Sequence, residues 1–207
     1  NIRDEDSVRR AIAGADAVVN CVGILNETGR NSFEAVQHDG AERVARIAAE
    51  EGVSQLVHLS SIGADAESES EYKRSKAEGE TGVLANFKKA VILRPSVLFG
   101  TEDDFFNKFA SMTRWGPALM LVGGNTKMQP VYVDDVAAAV ELAALGKAKA
   151  GIYELGGPET ATLRELMVKM LAVIERRRLI VNLPFWMGSI VAGSFDLLQS
   201  ISLGLFT

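Results

Sequence analysis

Apolar residues in this chain fall into two kinds of segment that alternate. One kind is short and nearly unbroken: Ala17 to Val22, Gln55 to Leu59, and Ala90 to Leu93. Apolar runs without strict alternation predict strands buried on both faces, as in a parallel sheet. The other kind repeats apolar residues at three- and four-residue spacing. Asp4 to Gly14 predicts a short helix with Val8, Ala11 and Ile12 inward. Asn31 to Gly52 predicts a long one, with Phe33, Val36, Ala41, Val44, Ala45, Ala48 and Ala49 inward. Glu69 to Ala85 predicts a third. Strand, helix, strand, helix, strand at these spacings implies crossover connections and an α/β fold on a parallel sheet.

Beyond Gly100 the pattern loosens. Asp103 to Thr113 predicts a helix. Gly116 to Lys127, with Pro117, Gly123 and Gly124, reads as loop. Asp134 to Leu145 predicts an Ala-rich helix and Gly151 to Leu155 a strand. Thr162 to Ile174 predicts a helix opened by a Thr162/Glu165 capping box. Leu179 to Val181 predicts a short strand and Pro184 to Leu198 a final apolar helix. The chain is thus expected to divide near 115. Residues 1–115 belong to a doubly wound sheet domain. Residues 116–207 are a mixed region, in which the 134–145 helix packs on the sheet and the rest forms a smaller C-terminal domain.

Composition narrows the function. The 207 residues are 47% apolar, enough for a sizeable core, and carry a net charge of −5. An acidic chain without a basic stripe argues against a nucleic-acid partner. The single cysteine, Cys21, cannot form an internal disulfide and reads as a small buried residue at a strand end. A reducing, cytoplasmic setting is expected. No run of 18 apolar residues suggests a transmembrane segment. The first residue is Asn, not Met, so the sequence reads as a piece of a longer chain. Arg176-Arg177-Arg178 reads as a solvated helix end. With the apolar stretch Leu183 to Gly193 behind it, it also suits a membrane surface or a large complex, which would make the protein peripheral at the inner face of a membrane.

Candidate chemistry centres on Tyr72-Lys73-Arg74-Ser75-Lys76. Tyr72 and Lys76 are four residues apart and share a helix face. A Lys ammonium beside a phenol favours the phenolate. Ser60-Ser61 ends the strand eleven residues upstream of Tyr72. Tyr, Lys and Ser together can give a proton to a carbonyl or take one from an alcohol. The plainer reading is a charged helix surface and a strand-end turn. Asp134-Asp135 suits a helix N-terminus. His38 reads as a helix-surface residue and His58 as a satisfied core residue. Two histidines and one cysteine far apart give no metal site.

Further along come Leu93-Arg94-Pro95-Ser96-Val97-Leu98-Phe99-Gly100 and then Gln129-Pro130-Val131-Tyr132-Val133-Asp134-Asp135-Val136-Ala137. The ordered series resembles the extended and atypical short-chain dehydrogenase/reductase family. Within it, Gly14 to Gly23 and Glu71 to Glu80 look most like the branch of the NAD(P)H-binding accessory subunit of respiratory complex I and its bacterial relatives. The likeness is firm from Asn1 to about Glu141 and looser beyond.

The resemblance implies a Rossmann-like, doubly wound parallel sheet that binds NAD or NADP, with a small C-terminal α/β substrate-side region. No G-x-G-x-x-G or G-x-x-G-x-x-G occurs, so the N-terminal strands and phosphate loop are expected upstream of Asn1. The other reading is a complete protein that never bound a dinucleotide. By the resemblance, Tyr72 exchanges the proton and Lys76 binds the nicotinamide ribose. Ser61, with Ser60 as the alternative, orients the substrate oxygen. Asn20 and Gly23 pass the ribose, Asn1 and Ile2 lie by the adenine, and the main chain of Pro95, Ser96 and Val97 meets the carboxamide. Gln37 stands where many active members carry Asn. Two functions follow. One is a cofactor-binding accessory or assembly protein of a membrane-bound respiratory complex, or of quinone metabolism. The other is an active NAD(P)-dependent oxidoreductase or epimerase on a small carbonyl or alcohol.

Overall fold

The computed structural model describes residues 1–114 and 116–183. In chain order the elements are α1 (Glu5–Ile12), β1 (Ala17–Asn20), a π-helical turn (Glu34–His38) running into α2 (Asp39–Glu50), β2 (Gln55–Leu59), α3 (Glu71–Asn86), β3 (Val91–Pro95) and β4 (Leu98–Phe99). Then come α4 (Asp104–Met112), β5 (Ala118–Val122), β6 (Lys127–Met128), β7 (Val131–Tyr132), α5 (Val133–Ala144), β8 (Gly151–Leu155), β9 (Ala161–Thr162), α6 (Leu163–Val173) and β10 (Leu179–Leu183). The apolar helix expected at Pro184 to Leu198 lies outside the described residues.

The described residues pack as two units whose segments interleave along the chain. One unit holds Asn1–Leu98 and Val131–Gly157, the other the described residues of Phe99–Pro130 and those from Pro158 onward. In the first, four strands form a parallel sheet in the order β1-β2-β3-β8. Alternation within each strand sends side chains to both faces. Leu56 and Ile92 join Val8, Ile12, Val44, Ile47 and Val83 on one side, where α1, α2 and α3 lie. Val57, Val91 and Leu93 pack on the other side against Ala139, Val140 and Ala143 of α5. The sheet therefore sits between two helical layers. α2 and α3 approach closely because α3 carries Gly79 and Gly82. A Cβ on Gly79 would lie 2.1 Å from the Gln37 carbonyl oxygen, and one on Gly82 2.9 Å from Glu42 Cβ.

Local signals explain the helix ends. Asp4 caps α1 by accepting from Ser7 N at 2.8 Å. Asp134 and Asp135 fall in the first turn of α5, where their charge suits the helix dipole. The Tyr132 hydroxyl bonds Asp134, and this raises Tyr132 above its ordinary range.

Two expectations fail at β1. The strand ends at Asn20, and Val19 and Val22 are 40% and 46% exposed. Its only partner among the described residues is β2, so it lies at the sheet edge, and Val18 packs on the core while Val19 on the other face stays exposed. Cys21, just past the strand, is exposed rather than buried. Partial burial raises its thiol pKa all the same.

The second unit is built on β5 paired parallel with β10. The segment Gly116 to Lys127 is therefore not all loop. Its flanking Gly and Pro hid a five-residue strand whose Leu119 and Leu121 are 1% exposed while Met120 is 59% exposed. These leucines pack on Leu163, Leu166, Met167 and Met170 of α6. The capping box forms as expected: Thr162 and Glu165 bond reciprocally. The Arg cluster is not a free solvated end. Arg176 Nη1 donates to Ala110 O and Thr113 Oγ1, each at 2.9 Å, and Arg178 Nε donates to Thr113 O at 2.9 Å. Two of the three arginines thus satisfy the C-terminal end of α4.

Candidate functional site

The site forms where β2 ends against α3. Tyr72 and Lys76 lie one turn apart near the start of α3. Lys76 is 5% exposed. Its Nζ donates to Leu59 O at 3.4 Å, at the C-terminal end of β2, and lies 6.0 Å from the Tyr72 ring centroid. The Phe33 ring meets Tyr72 edge-on at 5.9 Å. Burial lowers the Lys76 pKa, and the Glu80 carboxylate opposes that shift. Gly23 makes room for the ammonium: a Cβ there would lie 3.2 Å from Lys76 Nζ and 3.5 Å from Gln37 Oε1.

Buried polar atoms without partners gather on the same segments. Gln37 Oε1, His58 Nε2 and Ser61 Oγ have none, and Arg3 Nε, elsewhere, completes the set among the described residues. A buried unpaired polar atom costs about 1–3 kcal/mol. Two of them, Gln37 Oε1 and His58 Nε2, belong to side chains that neighbour the buried Lys76 ammonium, and such unpaired atoms are groups a polar ligand would complete. Gln37 is otherwise fixed: its Nε2 donates to Ser75 Oγ at 3.1 Å, and Ser75 Oγ donates to Tyr72 O at 3.0 Å. His58 is only half satisfied. Its Nδ1 meets Asn20 Nδ2 at 3.1 Å, and desolvation, then the Lys76 charge, drives its pKa down to about 4.

The two serines part company. Ser61 keeps a free hydroxyl, whereas Ser60 Oγ donates to Glu80. Glu80 in turn receives Arg94 Nε at 2.8 Å and Nη2 at 2.6 Å. Among the described residues Ser61 Oγ is therefore buried without a partner, whereas Ser60 is tied to the scaffold. The loop after Ser61 is tied to β3, because Ile62 N donates to Pro95 O at 3.0 Å. Ser96 N donates to Leu155 O and Val97 O accepts from Val131 N, each at 2.9 Å, so these groups serve the fold. Asn20 Oδ1 takes Val22 N at 3.1 Å, which turns the chain toward Gly23.

Asn1 and Ile2 lie elsewhere, in a cleft of about 370 Å³ along the open β1 edge that Val8, Ile12, Val18 and Asn20 also line. Asn1 Oδ1 accepts from Arg3 N at 3.1 Å. Among the described residues no group of three His, Cys, Asp or Glu is placed to hold a metal.

Residues 1–156 match the profile of the NAD dependent epimerase/dehydratase family. The chain belongs to that family. The family is named for NAD-dependent members, so its cofactor class is a nicotinamide dinucleotide. Subunit 9 of the NADH dehydrogenase [ubiquinone] 1 alpha subcomplex, mitochondrial, of Arabidopsis thaliana is 39% identical over 199 residues, covering 94% of this chain and 49% of that protein. The Mus musculus protein of the same name is 36% identical over 202 residues, covering 94% and 52%. The chain thus spans about half the length of these relatives. A dTDP-4-dehydrorhamnose reductase from Clostridium acetobutylicum superposes with a TM-score of 0.76 at 18% identity, over 88% of this chain and 71% of that one. At that identity the likeness shows the Rossmann-like fold alone.

Of the residues that sequence reasoning named, Tyr72 and Gly23 lie beside Lys76, and Lys76 meets the end of β2 just before Ser60 and Ser61. That reasoning missed Glu80 and Arg94. The signal was present: Glu80 is four residues beyond Lys76 on the same helix, and Arg94 is a lone cation in an apolar strand.

Proposed function

We propose that this chain forms part of an NAD(P)-binding, short-chain dehydrogenase/reductase-like accessory or assembly protein of a respiratory complex or of quinone metabolism. The observation that supports cofactor binding is the buried Lys76 ammonium beside Gly23, with unpaired Gln37 Oε1 near the same backbone. Lys76 donates to the ribose hydroxyls, Gly23 lets the sugar approach the backbone, and Ser61 holds a polar atom near the nicotinamide. When bound, the nicotinamide supplies or accepts a hydride. The partner complex is supported by similarity to subunits named for NADH dehydrogenase. Among the described residues no helix is long and apolar enough to cross a membrane. We place the protein on the cytoplasmic side, peripheral to the inner face of the membrane.

A second reading has its own support. Tyr72 and the free Ser61 hydroxyl are the groups an oxidoreductase or epimerase needs to move a proton at a carbonyl or alcohol oxygen. Tyr72→Phe separates the two. An enzyme loses turnover by about 10²-fold or more and keeps its NADH affinity. An accessory subunit keeps both its affinity and its support of complex assembly. Lys76→Ala weakens the cofactor in either case. Retained assembly together with unaffected NADH binding in Lys76→Ala would contradict the cofactor-binding reading.

A further inference from the structure

Among the described residues Glu80 is the one buried carboxylate and Lys76 the one buried ammonium, at 3% and 5% exposure. They are four residues apart on α3. Glu80 is held by three bonds from two side chains: Ser60 Oγ just after β2, and Arg94 Nε and Nη2 from β3. Arg94 Nη1 lies 3.5 Å from Glu154 Oε1 on β8, which is 57% exposed. Lys76, Glu80, Arg94 and Glu154 therefore alternate in sign across α3, β3 and β8. A bidentate guanidinium fork fixes a carboxylate more rigidly than a single bond does.

We propose that Glu80, clamped by Arg94 and Ser60, is a positioning residue that holds Lys76 as an ammonium at the Tyr72 and Ser61 side of the site. The inference rests on the reading of Lys76 as the cofactor-binding cation and adds how the fold keeps it charged. The groups facing Lys76 make Glu80 the only candidate. On α3 these are Tyr72 and, one turn further on, Glu80, whose bond from Ser60 sets it next to the Leu59 carbonyl that Lys76 meets; on β2, His58 and the Leu59 carbonyl; on the π-helical turn, Gln37; after β1, the Gly23 backbone. His58, with its pKa near 4, is neutral at pH 7 and offers no negative charge. Burial disfavours the ammonium and Glu80 favours it. Without Glu80, the buried Lys76 and the part-buried Arg94 would share the region with only the exposed Glu154. The same clamp fixes α3 against β2 and β3, so it also sets where Lys76 points.

The test is a direct titration of Lys76 by NMR in protein labelled with ¹³C at lysine Cε, the signal assigned with Lys76→Arg. Glu80→Gln is isosteric and should lower the Lys76 midpoint by about one pH unit or more. Arg94→Met removes the competing cation and should raise it. NADH affinity of Glu80→Gln should fall several-fold at pH 8 and recover as the pH is lowered. A purely structural Glu80 would lower the melting temperature of Glu80→Gln while Lys76 titrates as in wild type, and that result overturns the proposal. If Glu80→Gln does not fold, Glu80→Asp decides, because it withdraws the carboxylate by one methylene: a lowered Lys76 midpoint supports the proposal and an unchanged one overturns it. The titration needs no cofactor. Failure of wild type to bind NADH would therefore defeat the cofactor reading without touching this measurement.

Discussion

The half-satisfied imidazole of His58 makes a sharp acid-stability prediction. His58 is 2% exposed, and its pKa falls from 6.5 to about 4, first through desolvation and second through Lys76. The folded state thus prefers the neutral ring. Between pH 6.5 and about 4 the unfolded chain carries the proton and the folded chain does not. The unfolded state binds more protons there, so stability falls as the pH falls through this window. The full drop is about 3 kcal/mol, from roughly 2.5 units at 1.36 kcal/mol each. About 2 kcal/mol of it should be lost by pH 5. The perturbation is His58→Gln, which cannot titrate but can still offer an amide oxygen to Asn20 Nδ2. Urea unfolding of wild type and variant at pH 7, 6, 5 and 4.5 isolates the term, because other carboxylates titrate equally in both. Wild type should lose stability relative to the variant along this curve. Adding Lys76→Met to the wild-type background should return part of the shift. Parallel curves for wild type and His58→Gln would refute the reasoning and would mean that the ring is not held neutral.

Three further predictions rest on packing. Gly79→Ala places a Cβ 2.1 Å from the Gln37 carbonyl, a backbone atom that cannot swing aside; we expect a loss of about 3 kcal/mol or more in chemical denaturation. Gly23→Ala places a methyl group 3.2 Å from Lys76 Nζ, the mobile end of a side chain; NADH affinity should fall several-fold with little change in melting temperature. Arg176→Ala removes two bonds that fix the end of α4; a loss of about 1–3 kcal/mol is expected, with the Lys76 titration unmoved.

Most of the sheet was legible in the sequence because its strands carry unbroken apolar runs and its helices keep a clear period. Gln55 to Leu59 and Gly151 to Leu155 are strands with the bounds the pattern suggests. The long helix from Asn31 was legible as a helix but not as a π-helical turn followed by an α-helix, since periodicity does not record one extra residue in a turn. β5 was missed because Pro117, Gly123 and Gly124 bracket it and its parallel partner, β10, lies far along the chain. At the site, the Tyr72 and Lys76 spacing was legible because helix geometry is local. The choice between Ser60 and Ser61 was not, because it depends on which hydroxyl meets Glu80. The Asn1 and Ile2 expectation rested on resemblance alone, and they line a cleft along the β1 edge.

The central claim is that the Lys76 pocket is the ribose and nicotinamide end of a dinucleotide site. Titration of the protein with NADH, followed by nicotinamide fluorescence, tests it most directly when wild type and Lys76→Ala are compared at pH 7. The account predicts binding by wild type and a tenfold or greater loss in Lys76→Ala, the consequence of removing charge-assisted hydrogen bonds worth about 1.5–3 kcal/mol. Equal affinity in the two proteins would contradict it.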